Sequence, residues 1–205
     1  MRSLCKKYNR PLQKTMSASD KMNLQLKELT ISARGVKSAQ IATHEDTPLY
    51  FTFDTLTHSP FGPSCFDKDP NASRMQLDIR LSGTEEQFFD SLDEWAVATV
   101  AENSERLFKK KLTSEQAADR YHPCLRKSEK HPTLLKTKCN LFGNRPCTFW
   151  NTKEEPIGAP EDWKGLEFRA RVHVSHLWLM GSDFGLVLNC TDLLLADKAS
   201  VAFPF

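Results

Sequence analysis

The sequence predicts a mainly-β protein, a small β-barrel with one long helix inserted at about residues 85–110 and a short second helix after it. Three observations predict it. Short stretches alternating between apolar and polar residues fill the chain before residue 82 and return after residue 133. One long stretch between them carries apolar residues at helical spacing. The order is therefore strands, helix, strands, which suits a helix inserted between the third and fourth strands of a barrel better than a βαβ fold.

Taken in order, residues 1–22 are basic and hold no acid until Asp20, which reads as a flexible basic N-terminal arm. The same composition suits an organelle address, and Leu4, Tyr8, Leu12 and Met16 fall at i, i+4 spacing. Pro11 interrupts that pattern. Residues 23–196 form the expected single domain. Its first strands are 24–33, 36–43 and 49–55. Residues 58–73 are a loop broken by Pro60, Gly62, Pro63 and Pro70. Residues 74–81 then alternate, with Met75, Leu77, Ile79 and Leu81 on one face.

Thr84 is the predicted N-cap of the long helix, with Gln87 completing a capping box. Phe88, Leu92, Trp95/Ala96, Thr99/Val100 and Leu107 form its buried stripe. A short helix capped by Thr113 or Ser114 follows, and Pro123 ends it. The later strands are 133–141, 146–151, 166–180 and 184–196, the last apolar on both faces and so central. Residues 151–165 are a turn-rich loop. Residues 197–205 are a tail tipped by Val201, Phe203 and Phe205.

The net charge of +2 hides a segregation. Residues 1–37 carry +7, residues 38–104 carry −9, residues 105–138 carry +6 and residues 139–205 carry −2. A polyanion partner is compatible with such local fields, although charged stretches are more often solvated faces. No apolar run reaches the ~18 residues of a membrane span. No fixed repeat suggests a solenoid. No H-E-x-x-H, G-x-S-x-G or nucleotide loop points to catalysis, so the expectation is a non-enzyme without cofactor. His173 and His176 stand three apart on one strand, an odd offset that predicts opposite faces. His122, Cys124, His131, Cys139 and Cys147 fall within 26 residues, but lack zinc-finger spacing and read better as buried thiols than as metal ligands.

Three strands distant in sequence each present paired cations opposite their core face: Arg74 with Arg80, Lys136 with Lys138, and Arg169 with Arg171. Residues at i and i+2 on a strand lie ~6.7 Å apart on one face, which suits a polyphosphate chain. Connectors add Lys109, Lys110 and Lys111, and the run Arg126, Lys127 and Lys130. Aromatics interleave: Phe61 and Phe66 in the long loop, and Tyr121, Phe142, Phe149, Trp150 and Trp163 near turns. Cations that track phosphates beside aromatics that stack bases are what a single-strand binder needs. The competing account makes these cations the wet side of a sheet and most of these aromatics core.

The stretch YHPCLRKSEKHPTLLKTKCNL (121–141) resembles the Tyr-x-Pro…Lys-Ser-x-Lys-x-Pro-Pro-x-Leu-Lys-x-Lys region of the single-stranded-DNA-binding proteins of phages and large eukaryotic DNA viruses. Residues 91–110 are similar to that family's inserted helix, and residues 168–195 to its final two strands. The resemblance implies an oligonucleotide-binding (OB) fold, a five-stranded Greek-key barrel, without catalysis and with a replication role. It implies single-stranded DNA as partner, bound with little sequence preference during replication, recombination or repair, inside the cell at the site of replication. By residue it points to Tyr121, Arg126, Lys127, Lys130, Lys136 and Lys138 as the DNA-facing stretch. Such proteins often end in an acidic tail that recruits replication proteins. This chain carries only Asp197 as acid in its tail, so Phe203 and Phe205 are left as candidates for partner binding or self-association. Two other functions fit the same chain: an RNA binder, and a capsid-like structural barrel with a basic arm.

Overall fold

Strand formation follows the apolar alternation closely, and a computed structural model describes residues 22–33, 35–65, 72–143 and 145–196. Most of the expected arm, Phe66, and the tail with Phe203 and Phe205 lie outside the described residues. The first strands are β1 (Leu24–Ile31), β2 (Lys37–Thr43), β3 (Leu49–Thr52), β4 (Thr57–His58), β5 (Pro63–Ser64) and β6 (Arg74–Arg80). Three helices follow: α1 (Gly83–Glu102), α2 (Ser104–Phe108) and α3 (Ser114–Ala118). The remaining strands are β7 (Tyr121–His122), β8 (Leu125–Arg126), β9 (Leu134–Asn140), β10 (Thr148–Trp150), β11 (Pro156–Ile157), β12 (Glu167–Met180) and β13 (Asp183–Leu195). The protein is thus mainly β, with one large sheet and few helices.

The sheet runs β1-β2-β12-β13-β9-β6-β5. β12 is its spine. One edge of β12 pairs with β13 along nearly its whole length, and the other pairs in turn with β4, β3 and β2. β13 is central, as its apolar sequence predicts, with β7, β9 and β10 parallel to it on the far side. The sheet curls on itself: the Thr57 hydroxyl of β4 donates to the Arg80 carbonyl of β6 at 2.5 Å.

The long helix is broken where a single one is predicted. α1 ends at Glu102 and α2 begins at Ser104, with Asn103 between them out of helical geometry (φ −99°, ψ 12°). Polar side chains break the ladder there. Asn103 donates to the Thr99 carbonyl at 2.8 Å and Ser104 to the Ala101 carbonyl at 2.8 Å. The predicted start is also displaced. Ser82, not Thr84, is the N-cap: its backbone is extended (φ −106°, ψ 173°) and its carbonyl accepts from the Glu86 N–H at 2.9 Å, while its hydroxyl donates to the buried Glu85 carboxylate instead of accepting from a backbone N–H. The true capping box lies on α3, where Thr113 and Gln116 bond each other's backbone N–H.

The buried face of α1 sets Phe88, Phe89, Leu92, Ala96 and Val100 against the inner face of the sheet. Phe51 stacks on Phe88 at 4.5 Å and meets Phe89 and Phe53 edge-on. Each such ring contributes roughly 1.5–3 kcal/mol by leaving water. A second apolar cluster, around Leu107, Leu177, Leu179 and Phe184, seats α2 and α3 at the other end. The thiols of Cys124, Cys139, Cys147 and Cys190 are buried, and no disulfide joins the described cysteines. No group of three His, Cys, Asp or Glu side chains among the described residues is placed to hold a metal. No described helix is long and apolar enough to cross a membrane.

Candidate functional site

Cross-strand register assembles a polar row on the outer face of the sheet. Gln76 pairs with Lys138, Lys138 with Asn189, Asn189 with His173, and His173 with Tyr50. The row crosses β6, β9, β13, β12 and β3, so it is roughly 19 Å long at ordinary strand spacing. Its opposite side is core: Leu77, Thr137, Cys139, Cys190, Val172 and Phe51 are buried.

Cations border this row. Arg74 donates to the Asn189 side chain at 3.4 Å. Lys138 reaches solvent, but neighbouring atoms partly desolvate its ammonium, and this and Arg74 hold it below the usual lysine range, with Asp78 opposing. The Arg171 guanidinium sits 4.2 Å over the Tyr50 ring. Tyr50 in turn stacks on His173, with centroids 4.9 Å apart and planes 25° apart. Arg145, from the β9–β10 loop, adds its field to His173. Among the described residues, none of Arg74, Lys138, Arg145 and Arg171 has a carboxylate within ion-pair distance.

The histidines correct the odd-offset expectation. β12 carries a bulge between Val174 and His176: Val174 faces Leu188 and His176 faces Val187, leaving Ser175 as the extra residue. Val174 and Leu177 are both buried, so His173 and His176 share the outer face. His173 feels His176 and two arginines, and His176 feels Arg74. Burial, then Arg145, His176 and Arg171, push His173 down; burial, then Arg74, push His176 down.

Other expected site residues are dispersed. Arg80 and Arg169 are exposed at the margins of the same sheet. Lys136 is half-buried and pairs across the ladder with Asp78. Arg126 is bound to Asp78 at 3.1 Å, and Lys127 to Asp90 of α1 at 2.7 Å. Lys130 is exposed in the loop that follows. Lys109 caps α2 in the left-handed region, and Lys110 and Lys111 continue from it at the helical end, beyond Leu107 and Phe108. Tyr121 is half-buried in the seam between helix and sheet: its hydroxyl donates to Asp93 of α1, and its ring packs on Phe184 at 5.2 Å. It tethers sheet to helix there, together with the Cys124 backbone N–H, which donates to the same Asp93 carboxylate at 3.2 Å; burial raises the Asp93 carboxyl, and the Cys124 and Tyr121 donors oppose that.

The expected stacking residues also separate. Phe149 is core, at 3% exposure, which corrects its placement among stacking candidates. Trp163 packs edge-on against Phe149 and Phe168 and is likewise a core contact. Phe61 is 69% exposed. Trp150 is half-buried and donates its indole N–H to Asp192 at 3.2 Å, while the second carboxylate oxygen of Asp192 is buried without a partner. Asp192 pairs across the ladder with Arg171, so Trp150 lies beside the cationic row. Phe66 lies outside the described residues.

Sequence reasoning missed Tyr50, Gln76, Asn189, Arg145 and both histidines. One signal for His176 was present. The apolar positions Val172, Val174, Leu177 and Leu179 slip from even to odd spacing between 174 and 177, which marks a bulge.

Among solved structures the chain is similar to gp2.5, a single-stranded DNA binding protein encoded by bacteriophage T7. The TM-score is 0.50 and the identity 15%, over 75% of this chain and 89% of that one. It is also similar to the single-stranded DNA-binding protein from bacteriophage Enc34 in complex with ssDNA, at a TM-score of 0.44 and 7% identity, over 84% and 96% of the two chains. A C-terminal truncation of the Enc34 protein gives 0.43 and 7%, over 85% and 96%. The gp2.5 likeness shows a shared fold. No family model matches the sequence, and no curated protein does.

Proposed function

We propose that this protein binds single-stranded DNA, with little sequence preference and without catalysis, across the outer face of its sheet. The observation that carries the proposal is the cross-strand row from Gln76 to Tyr50, bordered by Arg74, Lys138, Arg145 and Arg171, with no carboxylate partner for these cations among the described residues. Unpaired cations are free to replace counterions along a phosphate chain. The Tyr50–His173 stack and Trp150 supply flat surfaces for bases. The fold shared with gp2.5 supports the same reading. Within it, the curled sheet is an OB-type Greek-key barrel, and the protein protects single strands during replication, recombination or repair. Replication proteins, or a second copy engaged through Phe203 and Phe205, are its further partners.

The test is a titration of labelled oligothymidylate, duplex DNA and RNA against the protein at two salt concentrations. Single-strand affinity should exceed duplex affinity and fall with salt at a slope near −0.7 per phosphate contacted. Equal affinity for duplex, or binding indifferent to salt, overturns the proposal. Tighter binding to RNA than to DNA makes RNA the ligand.

A further inference from the structure

We propose that His173 and His176 are two further strand-binding groups of this face, and that each takes up a proton as a polyphosphate strand binds. The inference rests on the single-strand reading above and adds to it a ligand set and a second, linked ligand, the proton.

The geometry is the first support. Without the bulge at Ser175, strict alternation would put His176 on the same face as Val174, in the apolar core. With it, two imidazoles stand on the outer face within the arc of cations that has no carboxylate partner among the described residues. His173 lies in the cross-strand row itself, between Asn189 and Tyr50. His176 lies one step further along β12, opposite Gln40 of β2 and Val187 of β13, with its Nδ1 3.0 Å from the Ser175 hydroxyl.

The charges facing them give the second support. His173 meets Tyr50 from β3, Arg171 from its own strand, Arg145 from the β9–β10 loop, and His176. His176 meets Arg74 from β6. Every charged group named there is a cation, and burial adds to their effect, so both imidazoles are poised to be neutral at pH 7. A phosphate chain laid among these cations reverses the sign of the local field. It favours the imidazolium form, and imidazolium then donates from both ring nitrogens to phosphate oxygens. A site that resists protonation when empty and favours it when filled must take up protons on binding.

The experiment uses the full chain and oligothymidylate, whose bases do not titrate near neutrality. Binding constants are measured at fixed ionic strength from pH 8 to pH 5.5. Wild-type affinity should rise as pH falls, by up to about tenfold per pH unit for each fully linked proton. Calorimetric titration in buffers of different ionisation enthalpy should count between one and two protons taken up. His173→Gln combined with His176→Gln should lose most of the pH slope, so that its affinity falls furthest below that of the wild type at pH 5.5. His122→Gln, a control at the His122–Asp183 pair, should keep the slope. A wild-type profile flat in pH overturns the inference and leaves the single-strand reading standing, as does a slope that survives in the double variant. No oligothymidylate binding at any pH or salt overturns both.

Discussion

Two regions of this protein carry cations at similar density and put them to different use. In the connector from β7 to β9, Arg126 is bound to Asp78 and Lys127 to Asp90, so the helix and the sheet neutralise much of the basic run. On the outer face, Arg74, Lys138, Arg145 and Arg171 have no carboxylate partner among the described residues and meet amides, rings and each other. The sequence makes the connector the more conspicuous of the two, because its charges are contiguous. Folding reverses that ranking, since contiguity along the chain says nothing about which acids fold back against it.

Removing the outer-face cations should have the largest effect. Arg74→Ala, Lys138→Ala and Arg171→Ala together should cost about 1 kcal/mol for each phosphate no longer held, or roughly 100-fold in single-strand affinity. The salt slope should become shallower by about 0.7 for each of those phosphates, with the melting temperature nearly unchanged. Retained affinity would move the interface off this face. Arg126→Ala should do the reverse. It leaves the Asp78 carboxylate, 7% exposed, with the Gln76 amide as donor but without its ion-pair partner, and should cost about 1–3 kcal/mol in denaturant unfolding while changing single-strand affinity less than about twofold.

Tyr121→Phe removes the hydroxyl that donates to Asp93 and should cost about 1 kcal/mol of stability, with binding unaltered. A large loss of binding from this substitution would return Tyr121 to the groove that the family resemblance implies. The smallest effect concerns pH. His173 and His176 titrate lower in the fold than in the unfolded chain, so both states are neutral above about pH 6.5. As pH falls through that value, the unfolded chain takes protons first and stability declines. Thermal melts from pH 7.5 to pH 5.5 should therefore show a shallower decline in the double glutamine variant than in the wild type, and also in wild type saturated with oligothymidylate.

The strands were legible because each is a local pattern: Met75, Leu77 and Ile79 alternate with Gln76 and Asp78 whatever the rest of the chain does. The face of β9 was legible for the same reason, since Leu135 and Cys139 are buried while Lys138 is exposed. The row itself was not. Tyr50 and Asn189 lie 139 positions apart. They flank the same His173 only because β12 pairs with β3 on one edge and β13 on the other. Asn189 also sits in the most apolar strand, where a lone amide looks like an exception and not a site. The break between α1 and α2 was hidden because Asn103 and Ser104 interrupt the backbone ladder without interrupting the apolar stripe.

The buried cysteines make the protein its own recorder of opening. Burial and the neighbouring Asp93 push the Cys124 thiol up, and the Cys147 hydrogen bond together with burial pushes Cys139 up. Alkylating reagents attack thiolates that they can reach, so these sulfurs are silent in the closed protein. Cys139 and Cys190 lie on strands distant in the chain, paired across the parallel β9–β13 ladder. Modification at either site therefore requires the centre of the sheet to part. The rate at which each becomes alkylated measures how often that ladder separates, residue by residue and without an added label. A bound strand that spans β6, β9, β13 and β12 clamps those same seams from outside. Its presence should slow the labelling clock at Cys139 and Cys190 together, in proportion to the fraction of protein occupied.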